Sequence, residues 1–148
     1  MSGSSAEFLQ VQTTTDSRPE AMELARAAVE SRLAACAQVA GPMTSTYWWD
    51  DGIERAEEWL VMLKLPADRY DELAALLTDR HSYDEPEIIA VPILHGSAGY
   101  LNWITEETRA QSYGPRGPAG HSSPGRPASL RPGLLGINSR SVARSSCR

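Results

Sequence analysis

The pattern of apolar and polar positions divides the first 110 residues into seven elements. Strict alternation over residues 7–14 and short apolar runs bounded by turn residues indicate strands, whereas apolar positions that recur every three or four residues indicate helices. The predicted elements are a strand at 7–14, a helix at 18–33, strands at 35–50 and 53–65, a helix at 68–81, a strand at 88–95 and a short helix beginning at Ser97. This order predicts an α+β fold, the ferredoxin-like split βαβ, with an antiparallel sheet and helices on one face.

Short local signals mark the ends of these elements. Ser17 and Glu20 form a capping box at the start of the first helix, and Asp68 is placed to cap the second. Gly41-Pro42 interrupts the second predicted strand and indicates a bend or bulge there. Asp51-Gly52 predicts a tight hairpin between the second and third strands.

The third and fourth predicted strands carry signals about how the sheet is covered. The third strand is apolar on both faces from Trp59 to Leu65. In a sheet with one solvent-exposed face, the residues on that face are usually polar. Either both faces are covered, or one face or edge meets another subunit. Pro92 interrupts the apolar run of the fourth strand and indicates an edge strand or a bulge.

The charge of the chain changes sharply near residue 110. Residues 1–110 contain all 19 acidic residues and eight of the 14 basic ones, a net charge of −11. Residues 111–148 contain six Arg and no acid, together with five of the ten Pro and six of the eleven Gly. We therefore expect a flexible N-terminus at 1–6, an acidic domain at 7–110 and a disordered tail at 111–148.

These features also bear on the class of protein. An acidic domain repels nucleic acid, so no nucleic-acid partner is expected. No apolar run approaches the roughly 18 residues of a membrane span, and the first residues lack the pattern of a signal peptide, so no membrane partner is expected. With two Cys in the chain, we do not expect a disulfide framework. We expect instead a protein of the cytoplasm, where thiols stay reduced.

The segment His81 to Glu87 combines one imidazole with three carboxylates where a helix leads into a strand. Such a group can bind a divalent metal ion or can act as an acid/base pair. A polar loop, with a His that favours the end of a helix, accounts for the same residues.

Three other places could carry function. Tyr47-Trp48-Trp49 cannot enter one small core, because consecutive strand side chains point to opposite faces, so this segment predicts a subunit contact or a ligand wall. Lys64 is either a side chain that extends to solvent or an anion-binding group that pairs with a carboxylate such as Glu58. Cys36 is either a small buried residue or a thiolate ligand of a metal.

Several segments resemble the CutA family of divalent-cation tolerance proteins. They follow one another in order and cover about residues 7–109. The matching segments are Arg32-Leu33-Ala34-Ala35-Cys36, Ser45-Thr46-Tyr47-Trp48-Trp49, Gly52-Ile53-Glu54, Glu58 with Leu63-Lys64, the run from His81 to Ala90, and Tyr100-Leu101-Asn102-Trp103-Ile104.

The resemblance implies a ferredoxin-like subunit of a tight homotrimer, in which the long second and third strands contact neighbouring subunits. It also implies a role in tolerance of copper and other divalent metals, and an architecture similar to that of the trimeric PII signalling proteins. Some family members have a metal-binding Cys where this chain has Thr13, and a second His where it has Arg80. Of that ligand set, His81 is present here.

We therefore expect a cytoplasmic homotrimer that acts in the response to metal ions by binding a divalent cation such as Cu²⁺ or Zn²⁺, without an organic cofactor and without catalysis. The predicted site is a cleft between subunits, where His81 and Glu87 face the metal. The other predicted cleft residues are Tyr47, Trp48, Glu58, Lys64, Tyr83 and Trp103.

Two alternatives belong to other functional classes. A PII-like regulatory module would bind a small anionic metabolite or a partner protein, and would depend on Lys64 and arginines of the cleft. A small hydrolase or isomerase would use His81 and Glu87 as acid and base. A purely structural trimeric scaffold is a third possibility.

Overall fold

The computed structural model describes residues 6–109, so the predictions for residues 1–5 and for the tail from residue 110 lie outside the described residues. The predicted order of elements is confirmed. The elements are β1 (Phe8–Thr15), α1 (Arg18–Glu30), β2 (Cys36–Trp49), β3 (Gly52–Pro66), a 3₁₀ turn (Ala67–Arg69), α2 (Tyr70–Arg80), β4 (Ile88–Ile93) and α3 (Ala98–Arg109). Within residues 6–109, no helix is both long enough and apolar enough to cross a membrane.

The four strands form one antiparallel sheet in the order β2-β3-β1-β4. β1 and β3 lie in the centre, where β1 pairs with β4 on its other side. β4 is therefore an edge strand, which is where Pro92 can be tolerated without breaking an inner hydrogen-bond ladder. This is the ferredoxin-like topology that the pattern of the sequence predicts.

The core lies between one face of the sheet and helices α1 and α2. Alternate residues of the central strands face it, because successive strand side chains point to opposite sides. Its buried apolar residues are Val11, Ala21, Leu24, Ala28, Leu33, Ala34, Val61, Leu63, Leu65, Leu73 and Leu77. One core therefore contains the recurring apolar positions of both helices and the core-facing residues of the third strand.

Helix α1 ends at Glu30, three residues before the predicted end. Ser31 ends it, donating from its Oγ to the Ala27 carbonyl at 2.6 Å, and Arg32 has a left-handed backbone with φ of 61°. The N–H of Leu33 then donates to the Ala28 carbonyl at 3.1 Å, as in a Schellman-type helix end. Leu33 is apolar because it returns to the core, and not because the helix continues.

Helix α2 begins later than predicted, and Asp68 does not cap it. Asp68 lies in the 3₁₀ turn, and no side chain caps the N-terminus of α2 at Arg69. The Asp68 carboxylate instead lies 3.6 Å from the guanidinium of Arg109, at the end of α3. The predicted cap is wrong because a tighter turn connects Pro66 to the helix and places Asp68 on the surface.

The connection between β2 and β3 differs from the prediction by one residue. The two turn residues are Asp50 and Asp51, whose φ angles of 49° and 63° are those a type I′ turn requires, and Gly52 is the first residue of β3. Aspartate tolerates this left-handed conformation because its short polar side chain can bond locally. The predicted hairpin is confirmed, with Asp50-Asp51 as its loop in place of Asp51-Gly52.

The predicted irregularity at Gly41-Pro42 is a β-bulge, since the register of β2 against β3 shifts between Ala40 and Met43. Gly41 has a φ of 150°, and a Cβ there would lie 2.8 Å from Cδ1 of Trp59. Beyond the bulge, β2 and β3 pair with each other alone, because β1 pairs with β3 from Trp59 onwards. We call this two-stranded projection, residues 43–58, the hairpin arm.

Candidate functional site

His81 is the residue at which α2 ends, and its side chain is fully buried. Its Nε2 lies 2.8 Å from the carbonyl oxygen of Thr14, and its Nδ1 accepts the backbone N–H of Tyr83 at 3.0 Å. Because a carbonyl can only accept and an N–H can only donate, these partners select the neutral tautomer with the proton on Nε2. Both ring nitrogens are therefore occupied by hydrogen bonds within the subunit.

Glu20 connects the start of α1 to the loop that follows His81. Its carboxylate accepts hydrogen bonds from Oγ1 of Thr15 at 2.7 Å and from both the N–H and the Oγ of Ser82 at 2.8 Å. Its Oε1 also lies 3.7 Å from Nδ1 of His81. Partial burial alone would raise the pKa of Glu20, but these donors outweigh it and hold the pKa below its usual range.

Tyr83 extends the same group of contacts to the sheet. Its hydroxyl donates to Oε2 of Glu58 at 3.0 Å, and its ring centroid lies 4.8 Å from that of His81. Burial, and then the hydrogen bond to Glu58, raise the pKa of the Tyr83 hydroxyl. We call the five residues Glu20, Glu58, His81, Ser82 and Tyr83 the loop network.

The loop network contains residues that the sequence does not single out for this purpose. Ser17 caps α1 by accepting the N–H of Glu20 at 3.3 Å, as the capping box predicts. The carboxylate of Glu20, however, does not complete the box and instead contacts Ser82, 62 residues further along the chain. No local pattern could reveal this contact, because it exists only once α1 and the loop are packed together.

The predicted metal pair is not assembled within one subunit. Glu87 is exposed in the loop before β4, and His81 would have to give up a hydrogen bond before it could coordinate an ion. Among residues 6–109, no three His, Cys, Asp or Glu side chains are close enough to hold a metal. His81 and Glu87 therefore do not form a complete donor set there.

The predicted pairing of Lys64 with Glu58 is wrong. Lys64 donates from Nζ to Oε1 of Gln38 at 2.6 Å, while Glu58 accepts from Tyr83. Six residues separate Lys64 from Glu58 along an extended strand, a distance of about 20 Å, so sharing a strand face does not bring them together. Lys64 instead finds its partner on the adjacent strand β2.

The predicted aromatic residues of the cleft lie in two other places. Tyr47 stands opposite Glu54 and Trp48 opposite Ile53 on the hairpin arm, so the two rings occupy opposite faces, as predicted. Trp103 lies half-buried on α3, with its ring centroid 5.7 Å from that of Tyr100. The hydrogen bonds and ring contacts of the described residues link none of these three to His81.

Cys36 lies at the start of β2 and is buried, as its interpretation as a small apolar residue predicts. Its Sγ lies 3.4 Å from the hydroxyl of Tyr100, which brings α3 against this end of the sheet. Burial, and then the contact with Cys36, raise the pKa of the Tyr100 hydroxyl. In this environment the thiol packs and forms a weak hydrogen bond.

The fold and these contacts define a class of protein: a small ferredoxin-like domain with a hairpin arm and a partly buried polar network at the loop before β4. The family model described as "CutA1 divalent ion tolerance protein" matches residues 9–107. The chain belongs to the CutA1 divalent ion tolerance family.

Individual relatives agree with this assignment. The "Divalent-cation tolerance protein CutA" of Thermus thermophilus is 36% identical over 95 residues, which cover 64% of this chain and 92% of that protein. "Protein CutA" of Mus musculus is 38% identical over 92 residues, but these span 52% of its length, so the chain matches about half of that relative.

Solved structures show the same subunit fold. The crystal structure of CutA1 from a psychrotrophic Shewanella bacterium has a TM-score of 0.69 at 34% identity, covering 71% of this chain and 98% of that one. The CutA1 structure from Thermus thermophilus has a TM-score of 0.66, also at 34% identity, and covers 68% of this chain and 97% of its own.

Proposed function

We propose that this protein is a homotrimer that contributes to tolerance of divalent metal ions by binding them, and not by catalysing a reaction. Membership of the CutA1 family supports the role in divalent-ion tolerance. The proposal of three copies follows from the resemblance to the CutA family described above. The net charge of −11 over residues 1–110 favours attraction of cations. We place this role in the cytoplasm, where a buried free thiol such as that of Cys36 stays reduced.

The main observation that supports the proposed assembly is the exposed apolar surface of the hairpin arm. Trp48 is 74% exposed, Trp49 65% and Ile53 63%, although large aromatic side chains are usually covered in a stable protein. Trp48 and Ile53 are cross-strand neighbours on one face and Trp49 lies on the other, so the tip of this two-stranded ribbon is apolar on both faces. Such a ribbon is only marginally stable by itself, so packing against another chain would stabilise it.

A second exposed apolar surface lies at the opposite edge of the sheet. β4 is an edge strand, and Ile89, Val91 and Leu94 around it are all exposed. Two different apolar surfaces on one subunit favour a head-to-tail contact, in which the arm of one copy meets the edge of the next. A contact of this kind closes into a ring, and a ring of three subunits is what we propose.

We propose that the metal ion binds in the cleft between two subunits. The exposure of Glu87 supports this location, because its carboxylate is available to a neighbouring copy. His81 would join the site only after giving up one of its two hydrogen bonds within its own chain. The cleft is expected to be lined by residues from the hairpin arm, the later part of β3, the loop network and α3. These are Tyr47, Trp48, Glu58, Lys64, Tyr83 and Trp103.

Calorimetric titration of the assembled protein with Cu²⁺, Zn²⁺ and Co²⁺ tests this function. We expect wild type to bind at least one ion with a Kd below the millimolar range, and Glu87→Gln and His81→Ala to weaken that binding. His95→Ala is the matched control, because His95 is an exposed imidazole in the loop after β4. Equal binding by all four proteins would place the ion elsewhere, and the absence of binding by wild type would refute metal binding.

The proposed assembly has its own measurement. Light scattering at micromolar protein concentration should give three times the mass of the chain. A monomeric mass would contradict the proposed trimer and, with it, a cleft between subunits.

A further inference from the structure

One cavity in the described part of the chain is lined by none of the loop-network residues. It is a groove of about 520 Å³ between α1 and β2, which we call the α1–β2 groove. Small-molecule sites in proteins have volumes of about 300–1,000 Å³, so this groove is large enough for an organic molecule. Its lining residues are Arg18, Met22, Ala25, Arg26, Val29, Glu30, Ala37, Val39, Gly41 and Trp59.

The floor of the α1–β2 groove is apolar. Ala25 from the helix, Val39 from the strand and Trp59 pack partly against the core and also line the groove, and half-buried Val29 lines it beside them. The absence of a side chain at Gly41 lets β2 pass close to Trp59 at one end of the groove, since a Cβ there would lie 2.8 Å from Trp59 Cδ1. A flat apolar body can therefore pack there against an indole ring.

The rim of the groove carries positive charge in a domain that is otherwise strongly acidic. Arg18 and Arg26 line it, and both are exposed. Arg26 is already paired with Glu30 at 2.7 Å, whereas Arg18 makes no ion pair within residues 6–109. Two of the eight basic residues of the acidic domain thus line one groove, and one of them is available to an anion.

The topology decides which end of the groove holds this arginine. β1 and β2 are parallel, because each is antiparallel to β3, and α1 returns between them in the opposite direction. The first residue of α1, Arg18, therefore lies toward the middle of β2, where Gly41 approaches Trp59. The free guanidinium and the indole ring are at the same end, and the aliphatic residues lie toward the other.

We propose that the α1–β2 groove binds a small organic carboxylate with a flat apolar body. The carboxylate pairs with the guanidinium of Arg18, which can donate two parallel hydrogen bonds to it. The apolar body lies along Trp59, Val39 and Val29. This site is separate from the proposed metal cleft and does not depend on metal binding.

The test uses 2-naphthoate as the probe and neutral 2-naphthamide as its uncharged counterpart. Binding to the whole protein is followed by calorimetry and by the shift of the Trp59 indole N–H resonance, which Trp59→Phe identifies. We expect saturable binding of 2-naphthoate with displacement of the Trp59 resonance. The amide should bind about tenfold more weakly, because it cannot form the charge-assisted pair.

Two charge variants locate the site. Arg18→Gln should weaken binding of 2-naphthoate by about tenfold and leave binding of the amide unchanged. Arg80→Gln is the matched control, because Arg80 is exposed on α2 and does not line the groove. No saturable binding, equal loss in both variants, or an unshifted Trp59 resonance would each overturn the proposal, whereas failure of metal binding would leave it intact.

Discussion

At the scale of single residues, two threonines of β1 show how one hydrogen bond distinguishes otherwise similar positions. Thr13 and Thr15 are both fully buried on the core-facing side of the strand. Oγ1 of Thr15 donates to Glu20 at 2.7 Å, whereas Oγ1 of Thr13 has no hydrogen-bond partner among the described residues. A buried hydroxyl without a partner costs free energy, because it has exchanged its bonds to water for none.

Replacing Thr13 with Val should therefore stabilise the protein by about 1 kcal/mol, because it removes the unsatisfied hydroxyl and keeps the shape of the side chain. Thr15→Val is the control and should destabilise by about 1 kcal/mol or more, because the hydroxyl it removes is bonded to a carboxylate. Urea denaturation at one fixed protein concentration measures both. A loss of stability in Thr13→Val would show that its hydroxyl is satisfied after all.

At the scale of elements, the loop between α2 and β4 is held by bonds to three other elements. His81 contacts β1 through the carbonyl of Thr14, Ser82 contacts α1 through Glu20, and Tyr83 contacts β3 through Glu58. Each bond by itself contributes modestly, but together they specify one conformation of the loop. In this arrangement His81 positions the loop that carries Glu87.

The charge of Glu20 makes this arrangement dependent on pH. Its pKa is lower in the folded than in the unfolded protein, so over the intervening range the unfolded state binds more protons. The stabilisation is therefore present above the unfolded pKa and is lost as the pH falls through the folded pKa. Glu20→Gln should cost about 1–2 kcal/mol at pH 7, and this difference from wild type should vanish in acid.

Urea denaturation from pH 7 down to pH 3 measures this difference. Glu23→Gln is the control, because Glu23 is an exposed carboxylate on the same helix, and it should track wild type at every pH. If the difference between Glu20→Gln and wild type were constant with pH, the carboxylate would not be stabilised by its donors.

The bulge of β2 depends on a glycine that no other residue can replace. A Cβ at Gly41 would lie 2.8 Å from Trp59 Cδ1 and 3.1 Å from the Glu58 carbonyl oxygen, at a φ that side chains rarely adopt. Gly41→Ala should therefore destabilise the protein by about 2 kcal/mol. Gly99→Ala, in α3 with nothing within 4 Å of the added Cβ, should be neutral or stabilising by up to about 1 kcal/mol.

Thermal or urea unfolding of the two alanine variants at equal protein concentration checks this contrast. Equal stability of Gly41→Ala and wild type would mean that the strand can relax away from Trp59.

At the scale of the whole molecule, the hairpin arm is the feature that a single subunit does not explain. Beyond the bulge no third strand pairs with it among the described residues, and its tip is apolar. The same surface is accounted for if subunits associate, since burying a large aromatic side chain contributes about 2 kcal/mol or more.

Trp48→Glu should therefore shift the assembly toward monomers by introducing an uncompensated charge into the contact. Met22→Glu, an equally drastic change at an exposed residue of α1, should leave the mass unchanged because Met22 is not part of the apolar tip of the arm. Light scattering over a dilution series compares the two with wild type. An unchanged mass for Trp48→Glu would remove the arm tip from the interface.

The sequence by itself determined the order of the elements, the side of each helix that faces the core, and the positions of the bulge and the hairpin. It could do so because these features depend on neighbours a few residues apart: the period of apolar positions, the cap at Ser17 and the glycine at residue 41. Even the errors at Asp68 and Asp51-Gly52 are local, because a 3₁₀ turn or a shift of one residue satisfies the same preferences.

The tertiary structure alone decided the partners of the polar side chains. Glu20 bonds Ser82, Lys64 bonds Gln38 and not Glu58, and His81 uses both nitrogens inside its subunit. The partners are far apart along the chain, or, for Lys64, lie on the adjacent strand and not on its own. A hydrogen bond forms only between atoms about 3 Å apart. Local periodicity carries no information on such distances, so packing determines them.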